Sequence, residues 1–579
     1  MEQKGGLDIN FFIGMCLIFG LLMWWSSSNI SAELDVENNV IDTEITNPIK
    51  SNTSKKNDVF ETRIEQQPDD SQIFSYNLSN DDINIIFSNY GASIQEVTLT
   101  NYSTYDSLPL KLIKELDFNF SFFINNRLVN SNELLFSEVN QDVSRNQISF
   151  TYQDINENTI TFIYQLLEGY QLTFEVLTET ANTQDYIEPD KLLFSENINQ
   201  LEKNIDNERN TTTIRYSFNN KSSKQIPLMK DSDKNIDNPK WVAYRQQFFS
   251  TIISSESSFG SVNLSASSPD SDDYVKTLTS NLSIEYDNTS SSYIFNFYFL
   301  PNKYSLLKSF DQGFESLVPL GWGIFGWVNK FLVIPMFNVL EKTGLNYGLI
   351  ILIIALVIKM LLFLPTKSSY LSMAKMRVLK PEIDAINEKV KDPMERQQAQ
   401  MNLYKKTGVN PLGGCLPLLF QMPVLIALFR FFPASIELRQ QPFLWADDLS
   451  TYDSIFDFGF HIPLYGDHIS LFALLMTLAT VLQMKYSNQS SNAQMPQMKY
   501  VMYLMPVIFL FVMNNYSAAL SYYYFLANLI TFGQQWIIRK NIDDDKLYAM
   551  LQANKKKPVK KSKFQQKLED LAKKNQQNK

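Results

Sequence analysis

With 579 residues the chain is long enough for several structural units. A hydrophobic content of 45% beside a mean hydropathy of −0.17 excludes a uniformly apolar protein, so the apolar residues must be clustered. The formal net charge of −10 hides an acidic centre and a basic C-terminal tail, and two cysteines with two histidines exclude a disulfide framework and are too few for a closed metal site.

The first apolar run is Phe11–Trp25 (FFIGMCLIFGLLMWW). It reads as an uncleaved transmembrane anchor over 1–28 with its N-terminus inside. A cleaved signal peptide is the alternative, weakened by an n-region holding only Lys4 and by the lack of a clean A-x-A site. Trp24-Trp25 suit a membrane interface. Residues 29–65 are charged, Asn/Ser/Thr-rich and without periodicity, as expected of a linker. From 66 to 315 short β-branched and aromatic runs alternate between Asn, Asp, Ser and Gly clusters: Asn84–Phe87, ASIQEVTL (92–99), QISFTY (147–152), TITFIY (159–164), LTFEVL (172–177) and YIFNFYFL (293–300). That pattern predicts an all-β sandwich.

Residues 316–345, with Trp322 and Trp327 on an apolar helical pattern, predict an amphipathic helix lying in the outer interface; a buried linker helix is the alternative. YGLIILIIALVIKMLLFLP (347–365) is membrane-length, 19 residues or roughly 28 Å. The polar segment 366–410 is expected to hold two helices. The first carries a stripe from Tyr370 to Val390 kinked at Pro381. The second is punctuated by Asp392 as N-cap, Pro393, Glu395 and Gly408. Further spans follow at about 412–432, 469–484, 500–514 and 518–538, of which 500–514 is short. Nine Lys or Arg in 366–410, against a 433–467 loop with only Arg439 among six acids, place the first segment in the cytoplasm and the second outside. Both termini are then cytoplasmic, with six spans and the β domain outside. The two histidines, His461 and His468, fall in and just after that outer polar loop. The tail 541–579, with KKKPVKKSK (555–563), is a solvated tail, a lipid-binding cluster or an RNA-binding one; basic residues alone do not distinguish these.

One residue stands out. Lys359 places an ammonium group inside an apolar span, about six residues or roughly 9 Å from its cytoplasmic end. Either it snorkels to the headgroups or it faces a hydrated cavity within the bundle. Gln421, between Pro417 and Pro423, and Asn528, Thr531 and Gln534 on the last span are the polar residues that could line such a cavity; Gln and Asn also serve as inter-helix glue. No Walker motif, G-x-G-x-x-G, H-E-x-x-H or G-x-S-x-G is present, so no cofactor is expected and the site suits binding and transit rather than catalysis. A solute transporter would use the same lysine but predicts inverted repeats, which the sequence does not display. A carbohydrate-active outer domain would need catalytic groups, and 70–305 contains no histidine.

The segments TKSSYLSMAKMR (366–377), NPLGGCLPLLFQMPVLIAL (410–428), MPVIF (505–509) and YYFLANLITFGQQ (523–535) resemble the YidC/Oxa/Alb membrane protein insertase family. The first span, the outer β domain and WVAYRQQFF (241–249) resemble its long Gram-negative form. The resemblance implies a polytopic α-helical membrane protein: an N-terminal anchor, a five-helix insertase core over 346–540 and a large extracytoplasmic β-supersandwich domain, in the inner membrane with that domain periplasmic. It implies a groove open to cytoplasm and lipid, with Lys359 as its cation and Gln421, Asn528 and Thr531 as polar lining. It also implies nascent membrane proteins as substrates, and as partners the Sec translocon, the ribosome (through the basic tail and the cytoplasmic hairpin) and membrane lipids. The chain departs from the family pattern in having lysine where arginine is usual, which keeps the charge but loses the planar fork, and Ala518-Ala519 where a Ser-Gly pair is usual.

Overall fold

The computed structural model describes residues 72–556 apart from 220, 228–230, 257–258, 269–273, 286–290, 411–415, 464 and 489–495. The expected anchor, the linker and most of the terminal lysine cluster lie outside the described residues. The chain divides into two compact units, one ending at Val318 and the other beginning at Pro319.

In the first unit every alternating segment is a strand. Thr159–Leu166 and Gln171–Glu179 bury every second residue, because successive side chains on a strand point to opposite faces. The strands form antiparallel sheets of four, nine and six. Phe120 of the six-stranded sheet lies 5.8 Å from Phe162 and 6.2 Å from Phe174 of the nine-stranded one, and this phenylalanine layer is the sandwich core. Burying each such ring stabilises the unit by about 1.5–3 kcal/mol.

The WVAYRQQFF segment forms two paired strands, Trp241–Arg245 and Phe249–Ser255. Three of its polar side chains are buried and bonded inward: Arg245 donates to the Thr211 carbonyl (3.0 Å), Tyr244 to the Phe194 carbonyl (2.6 Å), and Gln247 accepts from Asn207 (2.9 Å). This motif braces the short helix Ile205–Thr211 against the sheet. Glu196 is fully buried with neither carboxylate oxygen bonded; burial pushes its carboxyl well above the usual range.

The second unit is helical. Helix α1 covers Gly323–Glu341 and contains a π-turn at Asn329–Val333, where buried Asn329 donates to the carbonyls of Leu320 and Ala427, both at 2.8 Å. Helix α2, Tyr347–Leu361, starts where expected, with the Asn346 side chain accepting from the Gly348 amide. It ends earlier than expected. After Leu362 the chain resumes as α3, Phe363–Val378, bent by 67°. Pro365 has no N–H to give to the carbonyl four residues back, that of Leu361. The straight run is therefore 15 residues, about 22 Å, and not the expected 19.

The polar segment also differs. Helix α3 runs into it from the apolar side, and the break falls at Leu379, with Pro381 in the first turn of α4, Lys380–Lys389, rather than as a kink inside one helix. Helix α5, Pro393–Thr407, has the expected caps: Asp392 accepts from the Met394 and Glu395 amides (2.7 and 3.2 Å), and Gly408 takes φ 71°. The four later expected spans correspond to α6 (Leu416–Phe431), α7 (Leu471–Asn488), α8 (Pro496–Met513) and α9 (Ala518–Lys540). Helix α8 is longer than the expected 500–514. Among the described residues α1 alone is long and apolar enough by itself to cross a membrane, and the bent α2–α3 pair is a second if it counts as one span.

Two parts expected to be irregular are ordered. Phe456–Ile462 and Gly466–Ile469 form a hairpin in which His468 is buried, bonded to Asp467 (2.9 Å) and to the Asn514 carbonyl (2.8 Å). Asp453 accepts from Trp445 Nε1, the Ser470 hydroxyl and the Phe472 amide at 2.8, 2.5 and 3.0 Å, capping α7. After Lys540 the chain forms α10, Asp544–Lys555. Its Leu547 and Leu551 complete a cluster with Leu379, Ile383 and Leu403. Glu382 receives Lys555 (2.7 Å), Gln552 and Tyr548; burial alone would raise its carboxyl, but these donors hold it below the usual range.

Candidate functional site

Lys359 sits in the last turn of α2, where the carbonyl end of the helix dipole favours a cation. Only 5% of the residue is exposed. Its Nζ donates to Gln421 Oε1 on α6 at 2.9 Å and to Thr531 Oγ1 on α9 at 2.8 Å. The Thr531 hydroxyl spends its own proton on the Ala527 carbonyl (2.7 Å), so a lone pair is what it presents to the ammonium. Gln534 Nε2 donates to the Lys359 carbonyl at 3.2 Å, in the turn where helix carbonyls run out of intrahelical donors.

Three of the four expected site residues therefore meet: Lys359, Gln421 and Thr531. Asn528 does not join them. It donates to Thr480 Oγ1 on α7 at 2.8 Å and bridges two helices. At 100° per residue Asn528 and Thr531 differ by 60° around α9, and Asn528 and Gln534 by 120°, so positions i, i+3 and i+6 fan across the helix rather than share one face. Thr480 was not identified in the sequence; a threonine in an apolar helix carries no signal of its own.

The ammonium is held by neutral oxygens, and among the described residues it has no carboxylate partner. Two of its three N–H groups are used. Its charge is thus solvated by the bundle without being cancelled, and an anionic or polar guest could meet the third N–H. The start of α9 is tied to the 449–451 segment. The Ala518 and Ala519 amides donate to the carbonyls of Thr451 and Leu449 (2.7 and 3.0 Å), and the Ser517 hydroxyl also donates to Leu449 (2.8 Å). Both alanines are fully buried there.

Fold and site together define a helical membrane core, with a buried uncancelled cation, joined to a large β-sandwich domain. Two family models match in tandem: YidC periplasmic domain over residues 75–338 and 60Kd inner membrane protein over 339–546. Curated relatives called membrane protein insertase YidC are similar along most of the chain. That of Parabacteroides distasonis is 41% identical over 85% of this chain and 82% of its own, and that of Amoebophilus asiaticus is 40% identical over 86% of each. That of Azobacteroides pseudotrichonymphae is 37% identical over 99% of each. A crystal structure of active YidC insertase with its first transmembrane domain aligns over 79% of this chain and 91% of that one, at 16% identity and a TM-score of 0.33, too slight a likeness to locate residues by. The chain belongs to the YidC family of membrane protein insertases. It is an inner-membrane protein with a periplasmic domain, and its function is membrane protein insertion. Its relatives are named as insertases and not as enzymes.

Proposed function

We propose that Lys359 is the cation of a hydrophilic groove that receives the polar segment of a nascent membrane protein, with Gln421 and Thr531 as its immediate lining and Asn528 as a structural neighbour. The observation that carries this reading is the ammonium bonded only to neutral oxygens, with one donor left over. An isolated charge in an apolar bundle is costly unless it faces water, a partner or a guest. An acidic or polar segment entering beside Lys359 would have its desolvation divided between two shorter steps. The bend after Leu361 leaves a short straight helix whose mismatch thins the bilayer locally. The guest's apolar helix then passes into lipid, and its burial drives insertion without a nucleotide or other cofactor, so no catalytic residue is assigned.

In this reading the core is multi-pass with both termini cytoplasmic, α1 lies in the outer interface, and the α4–α5 hairpin and the basic tail face the ribosome. The chain works as an insertase and chaperone, alone or with the Sec translocon. The charge asymmetry between 366–410 and 433–467 supports that orientation.

Photocrosslinking to a stalled single-span nascent chain tests the groove. Probes at Gln421 and Thr531 are expected to capture the polar segment, and capture falls in Lys359→Ala; a probe at Leu529, 46% exposed, should report lipid and the apolar helix. No capture at the first two positions, in folded protein, would refute the groove and favour a solute transporter.

A further inference from the structure

A surface recess of about 40 Å³ opens between α3, α7 and α9, and Lys359 does not line it. Ala374 and Ile538 give it an apolar floor, and Arg377 and Arg539 bring two guanidinium groups to its wall. Arg539 stacks over the Tyr486 ring, its Cζ 5.0 Å from the centroid, and among the described residues it makes no ion pair. Arg377 pairs with Asp544 at 2.6 Å. Asp544 thus offsets Arg377 alone, and the charge of Arg539 is left without a carboxylate partner among the described residues.

Its depth is marked by α9. An exposed apolar stripe, Leu529, Phe532, Trp536 and Ile537, ends immediately before Arg539 and Lys540, and Lys540 lies 5.4 Å over the Trp536 ring. Such a tryptophan–lysine pair marks the headgroup level. Tyr486 also stacks edge-on against Phe532 at 5.0 Å, so one wall of the hollow continues into that exposed stripe.

The geometry points to a binding site for the phosphate of an anionic phospholipid, seated between Arg377 and Arg539 with its glycerol end against the apolar floor. Free phosphate and an RNA backbone share the anionic chemistry, but neither uses an apolar floor that runs into an exposed greasy face. The assignment rests on the membrane placement proposed above and is independent of the groove at Lys359.

The test is native mass spectrometry of the full chain in detergent, titrated with phosphatidylglycerol, phosphatidylcholine, inorganic phosphate or a short single-stranded RNA. Phosphatidylglycerol should bind more tightly than phosphatidylcholine, and Arg539→Gln should weaken it about fivefold, the effect of one lost cation near a headgroup. Asp544→Asn supplies the decisive arm. Removing the competing carboxylate should tighten phosphatidylglycerol binding, whereas Arg377→Gln weakens it. If both substitutions weaken binding alike, the Arg377–Asp544 pair is merely structural and the site is refuted. Unchanged binding in Arg539→Gln refutes it too, as does binding of phosphate or RNA with no preference between the two lipids. Crosslinking of nascent chain at Gln421 should be unaltered in these variants, which separates failure of this site from failure of the groove.

Discussion

Replacing Lys359 by methionine removes the charge while keeping an unbranched, flexible side chain of similar reach. A guest carboxylate about 4 Å from the ammonium gains about 1 kcal/mol if the groove behaves as bulk water and about 4 kcal/mol at an effective dielectric of 20. The groove proposed at Lys359 would fall between these, so about 2 kcal/mol is the expectation, or roughly thirtyfold. The assay is insertion into proteoliposomes of two matched single-span substrates, one with an acidic N-terminal tail and one with a neutral Ser/Gly tail. Lys359→Met should slow the acidic substrate by roughly that factor and leave the neutral one within about threefold. The substitution also orphans Gln421 Oε1, so fold integrity is checked by thermal unfolding in detergent. Equal insertion of the acidic substrate by both proteins would refute the electrostatic argument. Equal loss for both substrates would assign Lys359 a packing role only.

Other tests concern the scaffold. A Cβ on Gly348 would collide with the Phe443 ring, so Gly348→Ala should cost about 1–3 kcal/mol in detergent unfolding, relieved when Phe443→Ala is added. Asp453→Ala strands three donors at the start of α7 and should cost about 2 kcal/mol or more, read as faster hydrogen exchange across Ser470–Ala473. Glu196 has its folded pKa raised, so the folded state binds the extra proton. Its contribution is fully present below the ordinary carboxylate pKa and is lost as pH rises above it, by about 1.4 kcal/mol per pH unit until the folded group ionises. Glu196→Gln should therefore remove part of the fall in β-domain melting temperature between pH 5 and 7; an identical fall in both proteins would show that Glu196 is ionised in the fold.

Much of this was legible in the sequence, for identifiable reasons. A strand buried on one face writes its period into alternating residues, so 159–164 and 172–177 could be read directly. The cap at Asp392 and Gly408 was legible because capping is local chemistry between neighbours. The end of α2 was missed because hydropathy continues through Leu361–Leu364 while Pro365 acts backwards on a carbonyl four residues away. Helix α10 was missed because its surroundings are Asp- and Lys-rich, and Leu547 and Leu551 gain meaning only from Leu379 and Leu403, which are distant in sequence. At the site, Lys359 within its apolar run and Gln421 between two prolines could be singled out from their chemistry. Which side of α9 faced Lys359 depended on packing angles, and there Asn528 was assigned to the wrong neighbour.

The position of α10 has a consequence for the order of events when the chain is made. The α4–α5 hairpin leaves the ribosome well before Leu547 and Leu551 are translated, so it must wait with part of its apolar face bare, and non-local contacts of this kind form late. A chain stopped at Lys540 would retain every helix from α1 to α9 and still have a hairpin lacking the lid of its small core. The small core shared by α3, α4, α5 and α10 is thus finished last, only after helices α6 to α9 have been synthesised.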